Sequence, residues 1–250
     1  MFLSFIIILV ISTVFSMFGK GGGSLYTPVL VMMGLPLDVS IVTALFLNLV
    51  TAMVATIVFA RNKLVDFKFC GVFLPGTIIG SLVGALLSSR APRELLLGIF
   101  SVFLYGAGAL MAFSKKEIPG QAVKSLTVKL IVLIVGFSLG VGVLSSLIGV
   151  GGGLVIFPFL VLYMKYPAQK AAGANSFIVA VSSLVGTAGH FASTHASLPL
   201  MLITSVACVL GSAVGSHVTV KASPAFVKIA FAFVMWFFAT QIALKLLGIL

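Results

Sequence analysis

The chain has 250 residues, of which 61% are hydrophobic and only 8% are charged. This composition carries more apolar surface than a water-facing shell could cover, which excludes a soluble globular domain and indicates a protein of the lipid bilayer. Fifteen Lys and Arg oppose four Asp and Glu, but the basic residues lie in short gaps between apolar runs, so they indicate membrane topology and no nucleic-acid partner.

Eight apolar runs are long enough to cross about 30 Å of hydrocarbon as helices. They cover 2–18, 38–60, 67–89, 93–113, 125–148, 168–192, 197–220 and 225–249. The first run could be a secretory signal, but no basic residue precedes it and a second run, 125–148, holds the same place before a similar motif. We therefore expect the first run to be retained as a helix.

Two shorter apolar pieces, 24–34 and 154–164, would reach only about half of a bilayer as helices. Each follows a glycine triplet. "GKGGGSLYTPVL" at 19–30 aligns without a gap with "GVGGGLVIFPFL" at 149–160, and six of the twelve positions are identical. Pro28 and Pro158 either open the short helices or kink them, and the sequence leaves both possibilities open.

The basic residues predict the path of the chain through the membrane. In an alternating eight-span model they divide seven to eight between the two sides. If each short piece returns the chain toward the side it came from, only Arg90, Arg93 and Lys245 oppose the other twelve. The positive-inside rule favours this second model and places the basic stretch 114–124 in the cytoplasm.

Each half then holds about five segments, an odd number, which predicts that the second half is inserted upside down. The repeat continues at an offset of 131, where the Gly80–Ser81 pair matches Gly211–Ser212. The sequence therefore predicts an all-α polytopic membrane protein of two inverted repeats, 1–120 and 121–250. Together they contain eight long transmembrane helices and two short broken or re-entrant helices.

The glycine breaks are the predicted binding site. Non-helical backbone is tolerated in hydrocarbon only where protein or a wet cavity surrounds it, so two symmetric breaks point inward. A helix that begins there offers N–H groups and a positive dipole end to an anion. The candidate residues are Gly19, Gly21, Gly22, Gly23, Ser24, Gly149, Gly151, Gly152 and Gly153. Close helix packing is the alternative explanation.

Polar side chains near the breaks complete the candidate site. Lys20 either helps to hold an anion or reaches the headgroups, and its repeat partner is Val150. The next long run of each half carries Thr43 and Asn48, and Asn175 and Ser176; His190 lies near the end of the second of these runs. Hydrogen bonding between helices is the alternative role for all of these polar groups.

The four carboxylates lie at run ends or in loops, so nothing resembles the buried acid of a proton relay or a cation pathway. Cys70 and Cys208 lie inside apolar runs and are expected to pack between helices, with no metal or cofactor. An inside-negative potential favours the exit of an anion by about 2.3 kcal/mol per charge per 100 mV, so export needs no coupling ion.

The duplicated GxGGG motif followed by a proline, the basic central loop and the length together resemble the TauE/SafE sulfite exporter family, also called the four-toluene sulfonate uptake permeases. The resemblance covers nearly the whole chain. It implies a multi-pass inner-membrane permease for small sulfur-containing anions such as sulfite or organosulfonates. The family pattern carries over to the glycines of both motifs. Lys20 stands where that pattern is usually apolar, which implies an altered substrate preference.

Three other functions compete with this one. The cargo could be another small organic anion such as a carboxylate. An intramembrane serine hydrolase would use Ser24 and His190, but Ser24 corresponds to Leu154 and the expected serine turn is absent, so no catalytic residue is expected. A scaffold subunit would need docking surface that the short loops do not offer. The sequence does not indicate an oligomeric state.

Overall fold

The structure is a computed structural model that describes residues 2–87, 93–113, 127–148, 152–191 and 198–246. All regular structure in these ranges is helical. The helices are α1 (Phe2–Ser16), α2 (Gly23–Met32), α3 (Leu37–Arg61), α4 (Phe67–Gly71), α5 (Leu74–Leu87), α6 (Arg93–Phe113), α7 (Val128–Ile148), α8 (Gly153–Pro158) with a π-helical turn (Phe159–Tyr163), α9 (Ala168–Phe191), α10 (Leu198–Lys221) and α11 (Pro224–Leu246). Six described segments are long and apolar enough to span a membrane, which confirms an all-α polytopic membrane protein.

Prolines and one cap explain where the helices differ from the predicted runs. The run 67–89 is divided into α4 and α5, and Pro75 stands in the first turn of α5, where its missing N–H is tolerated. Asp66 caps α4, because its carboxylate accepts a 3.1 Å hydrogen bond from the Phe69 N–H. Pro158 lies inside the second short helix, at the point where the α-helix changes to the π-helical turn.

Glycine contacts show how the two helices of each of two pairs run relative to each other. A glycine lets two backbones approach closely, and successive glycines on α5 and α10 meet successive residues on α7 and α1. The contacts are Gly76 with Ser138, Gly80 with Val143, Gly211 with Leu9 and Gly215 with Thr13. Residue numbers rise together in both pairs, so α5 runs parallel to α7, and α1 runs parallel to α10.

Hydrogen bonds show the relative direction of the helices in the other two main pairs. Asn48 and Thr56 of α3 bond to Ser183 and Ser176 of α9, respectively. Ser101 of α6 bonds to Ala239 of α11, and Gly108 packs against Trp236. Residue numbers rise on one helix as they fall on the other, so both pairs are antiparallel. The antiparallel pair α3–α9 contains the two most buried candidate spans, and it forms the centre of the bundle.

One end of the bundle gathers the basic loops. The Gln169 side chain donates a 2.8 Å hydrogen bond to the Ala222 carbonyl, and the Tyr166 ring stacks on the Phe69 ring with centroids 4.7 Å apart. These contacts bring α4, which follows the loop 62–66, together with the loops 164–167 and 222–223 at what we call the basic end. Exposed cations here are Arg61, Lys63, Lys68, Lys129, Lys165, Lys170 and Lys221.

Both short helices return the chain to the end from which it came. α1 runs toward the basic end, since it is parallel to α10 and α10 finishes there; α2 then turns back, because α3 starts at the opposite end. α7 starts at the basic end, parallel to α5, and α8 with its π-helical turn comes back to the loop 164–167. This path is the one that the distribution of basic residues favoured.

Apolar side chains cover the outside of the bundle. Leu86, Val102, Phe113 and Val128 are between 73% and 82% exposed, and they lie on the peripheral helices α5, α6 and α7. Such a surface is favourable in contact with lipid chains and unfavourable in contact with water. Four polar residues of the candidate site lie instead on the central helices α3 and α9: Thr43, Asn48, Asn175 and Ser176.

Candidate functional site

The two glycine breaks meet inside the bundle, although 130 residues separate Gly23 from Gly153. A Cβ atom on Gly153 would lie 2.9 Å from the Cγ and 3.0 Å from the Cα of Lys20. Only a hydrogen atom fits there, so the start of α8 rests directly on the loop before α2. We call this contact, formed by residues 18–23 with Gly153, the glycine junction. Gly149 and Gly151 lie outside the described residues.

The loop before α2 needs glycine for both conformation and contact. Gly19 and Gly21 have φ angles of +63° and +68°, in the left-handed region that side chains disfavour. A Cβ on Gly19 would overlap the Ala172 carbonyl oxygen, and one on Gly21 would overlap the Asn48 side chain. The loop is therefore pressed against both central helices, α3 and α9.

Asn48 ties the start of α2 to both central helices. Its Oδ1 accepts a 2.9 Å hydrogen bond from the Gly23 N–H, and its Nδ2 donates a 2.6 Å bond to the Ser183 hydroxyl. The N–H groups of Gly19 and Lys20 donate to carbonyls at the end of α1. Three N–H groups of the break are thus satisfied within the protein.

Asn175 connects the two breaks from α9. Its Nδ2 donates hydrogen bonds of 3.0 Å to the Phe18 carbonyl and 3.2 Å to the Gly153 carbonyl. The residue is fully buried, and its Oδ1 has no hydrogen-bond partner within the described part of the chain. One amide therefore holds together the backbone on both sides of the junction.

Lys20 is buried, with only 1% of its surface exposed, so it does not reach the headgroups. Its Nζ lies 4.6 Å from the ring centroid of Phe15 and 4.5 Å from that of Phe238. Aromatic faces attract a cation, and such contacts are stronger where water is excluded. The structure thus places a basic side chain between α1 and α11, with its stem at the glycine junction.

The other predicted residues lie around the same central helices. The Ser176 hydroxyl donates to the Gly173 carbonyl at 2.7 Å and accepts from Thr56 at 3.0 Å. The Thr43 hydroxyl is buried without a partner in the described ranges. Ser24 belongs to α2 and His190 to α9, but their side chains lie outside the described part of the structure.

Sequence reasoning missed Tyr26, which lies one turn beyond the first break. Its hydroxyl is 2.9 Å from the Thr51 hydroxyl, and it accepts a 3.5 Å hydrogen bond from the Cys208 thiol. Gly22 packs against its ring. The sequence did contain a sign of this role, a single tyrosine in a short apolar helix. A buried tyrosine needs a hydrogen-bond partner for its hydroxyl. This group fastens α2 to α3 and α10.

Discontinuous helices that meet at a buried polar junction in a polytopic bundle are the construction of a membrane transporter. The sulfite exporter TauE/SafE family model matches residues 4–242, and the chain belongs to this family. Among the described residues, no group of three or more His, Cys, Asp or Glu could hold a metal ion.

Two curated relatives agree with this assignment. The chain is 28% identical to the probable membrane transporter protein YunE of Bacillus subtilis (strain 168) over 222 residues, which covers 77% of this chain and 80% of the relative. It is 26% identical to the probable membrane transporter protein MJ0441 of Methanocaldococcus jannaschii over 232 residues, which covers 86% and 84%. No solved structure matches the chain.

Proposed function

We propose that this transporter carries small sulfur-containing anions, sulfite or an organosulfonate, out of the cell through the glycine junction. The observation that carries the proposal is the contact between Lys20 and Gly153, which brings the two distant glycine breaks together in the buried centre of the bundle. Family membership supports the class of cargo. We assign the protein no catalytic residue.

The chemistry of the junction suits an anion. The ten-residue helix α2 begins there and directs the positive end of its dipole toward the break. Asn48 Oδ1 accepts from the Gly23 N–H in the structure, and an oxygen of a bound anion would take the same place. Lys20 adds a buried basic side chain whose stem lies at the junction and whose Nζ lies by the Phe15 and Phe238 rings.

An inverted relation between the halves is part of the proposal. α1 pairs with α10 while α5 pairs with α7, α3 pairs with α9, and α6 pairs with α11. Matching α1 to α7, α3 to α9, α5 to α10 and α6 to α11 leaves this set of pairs unchanged, as a two-fold relation requires. The return of the first short helix to one end and of the second to the other supports inversion. Rocking of one half on the other would then open the junction alternately to each side.

The functional test is a flux assay on the purified protein in liposomes. We expect sulfite or a small sulfonate to move, and carboxylates of the same charge to move more slowly. Lys20→Met, which keeps the length of the stem and removes the charge, is expected to slow the flux at least about tenfold, because the basic group beside the guest is lost. Preferred movement of a carboxylate would favour the alternative cargo, and no flux of any anion would refute the proposal.

The orientation is tested with single cysteines placed after the two short helices. In cells, Met33→Cys is expected to react with a membrane-impermeant maleimide from outside, whereas Lys165→Cys reacts only after permeabilisation, because the basic end faces the cytoplasm. The native Cys70 and Cys208 are buried and give low background. Labelling of both new cysteines from the same side would show that the halves are not inverted.

A further inference from the structure

We propose that Asn175 makes the glycine junction selective for anions that carry their own hydrogen-bond donor, such as hydrogensulfite or a hydroxy- or amino-substituted sulfonate. Anions that present only acceptor oxygens would be transported less well. The selectivity rests on the transport function proposed above and specifies the chemistry of the guest.

The orientation of the Asn175 amide is determined by its neighbours. Its Nδ2 has two hydrogens, and both are directed at carbonyl oxygens, those of Phe18 at 3.0 Å and Gly153 at 3.2 Å. Rotating the amide by half a turn would place its oxygen against two other oxygens and lose both bonds. The amide oxygen therefore has to be the atom that is not directed at these carbonyls.

That oxygen accepts no hydrogen bond in the part of the chain that the structure describes. Asn175 is 0% exposed, and its Oδ1 has no hydrogen-bond partner within the described ranges. Buried amide oxygens are nearly always paired, since an unpaired one loses its hydration without replacement. A guest that brings an O–H or N–H group supplies the missing donor. A guest that brings only oxygens places an acceptor beside an acceptor.

The position of the amide makes it part of the junction. The same side chain bonds to the residue just before the first break and to the first residue of α8, so Nδ2 lies between the two glycine segments and Oδ1, on the same amide carbon, lies beside them. The Lys20 stem contacts Gly153, the same residue whose carbonyl accepts from Asn175. A guest held here would therefore be negatively charged as a whole and would carry a donor on one face.

Asn48 offers the internal comparison. Both ends of its amide are occupied, by the Gly23 N–H and by the Ser183 hydroxyl. Thr43 also has an unpartnered buried oxygen in the described structure, but a hydroxyl both donates and accepts, so it does not demand a donor from the guest. At the junction, Asn175 Oδ1 is therefore the buried amide oxygen that needs a hydrogen-bond donor from the guest.

The experiment compares two sulfonates of equal charge and similar size in liposomes that contain the full-length protein. 2-Hydroxyethanesulfonate carries a hydroxyl donor, and ethanesulfonate does not. We expect the ratio of their kcat/KM values to be at least about ten in favour of the hydroxyl compound, because a site built for a hydrogen-bonding group rejects the analogue that lacks it. Sulfite flux is expected to fall as rising pH removes the proton of hydrogensulfite, while ethanesulfonate flux stays constant.

Two variants locate the effect. Asn175→Leu is expected to bring the ratio close to one, whereas Asn48→Leu slows both sulfonates and leaves the ratio unchanged. Equal rates for both sulfonates in the unaltered protein would overturn the selectivity while leaving the transport function standing. A ratio that persists in Asn175→Leu would show that another group discriminates. No movement of sulfite or of either sulfonate would instead refute the proposed function.

Discussion

Gly19→Ala is expected to destabilise the folded protein by about 2–5 kcal/mol, the largest effect of any single methyl group added at the junction. A left-handed conformation costs a non-glycine residue about 1–2 kcal/mol. Overpacking against a rigid neighbour adds about 1–3 kcal/mol. Both apply at Gly19, since its φ is +63° and a Cβ would overlap the backbone oxygen of Ala172, which cannot rotate away. Unfolding of the detergent-solubilised protein with heat or denaturant measures the change.

Gly34→Ala is the matched control. Gly34 also has a left-handed φ, +87°, but a Cβ there would have no atom within 4 Å. Its substitution should therefore show only the conformational part, about 1–2 kcal/mol. The difference between the two variants isolates the contact between the first break and α9. Equal destabilisation by the two substitutions would show that Gly19 does not rest on Ala172.

Gly153→Leu is expected to reduce anion flux at least about tenfold while the protein still inserts in the membrane. The added side chain would have to displace the Lys20 stem and the Val179 side chain, because its Cβ would lie only 2.9–3.0 Å from their atoms. The two breaks would be forced apart, and a displacement of about 1 Å at a binding site can cost a hundredfold in rate. Flux in liposomes, normalised to the inserted protein, measures the loss.

Gly140→Leu is the control for this experiment. Gly140 belongs to α7, and a Cβ there would have no atom within 4 Å, so the added side chain extends into open space. We expect nearly normal flux from this variant. If Gly153→Leu were equally active, the contact between the two breaks would not be needed for transport, and the assignment of the site to the glycine junction would be wrong.

The length and hydrophobicity of the apolar runs predicted most of the helices. The short run 24–34 became α2 (Gly23–Met32), and the run 154–164 became α8 with its π-helical turn, because backbone groups in an apolar environment leave little choice other than a helix. The division of 67–89 into α4 and α5 was missed, since a proline near a helix start is compatible with either a continuous or an interrupted helix.

The sequence by itself therefore determined that the protein is a helical membrane protein and that a short helix follows each of its two glycine triplets. These properties depend on local composition and on the requirement that each backbone group be paired in lipid. The tertiary structure alone decided that Lys20 rests on Gly153, that Asn48 holds the start of α2, and that the Asn175 oxygen is left without a donor in the described part of the chain. Such contacts join residues that are far apart in the chain, and the packing of whole helices sets them.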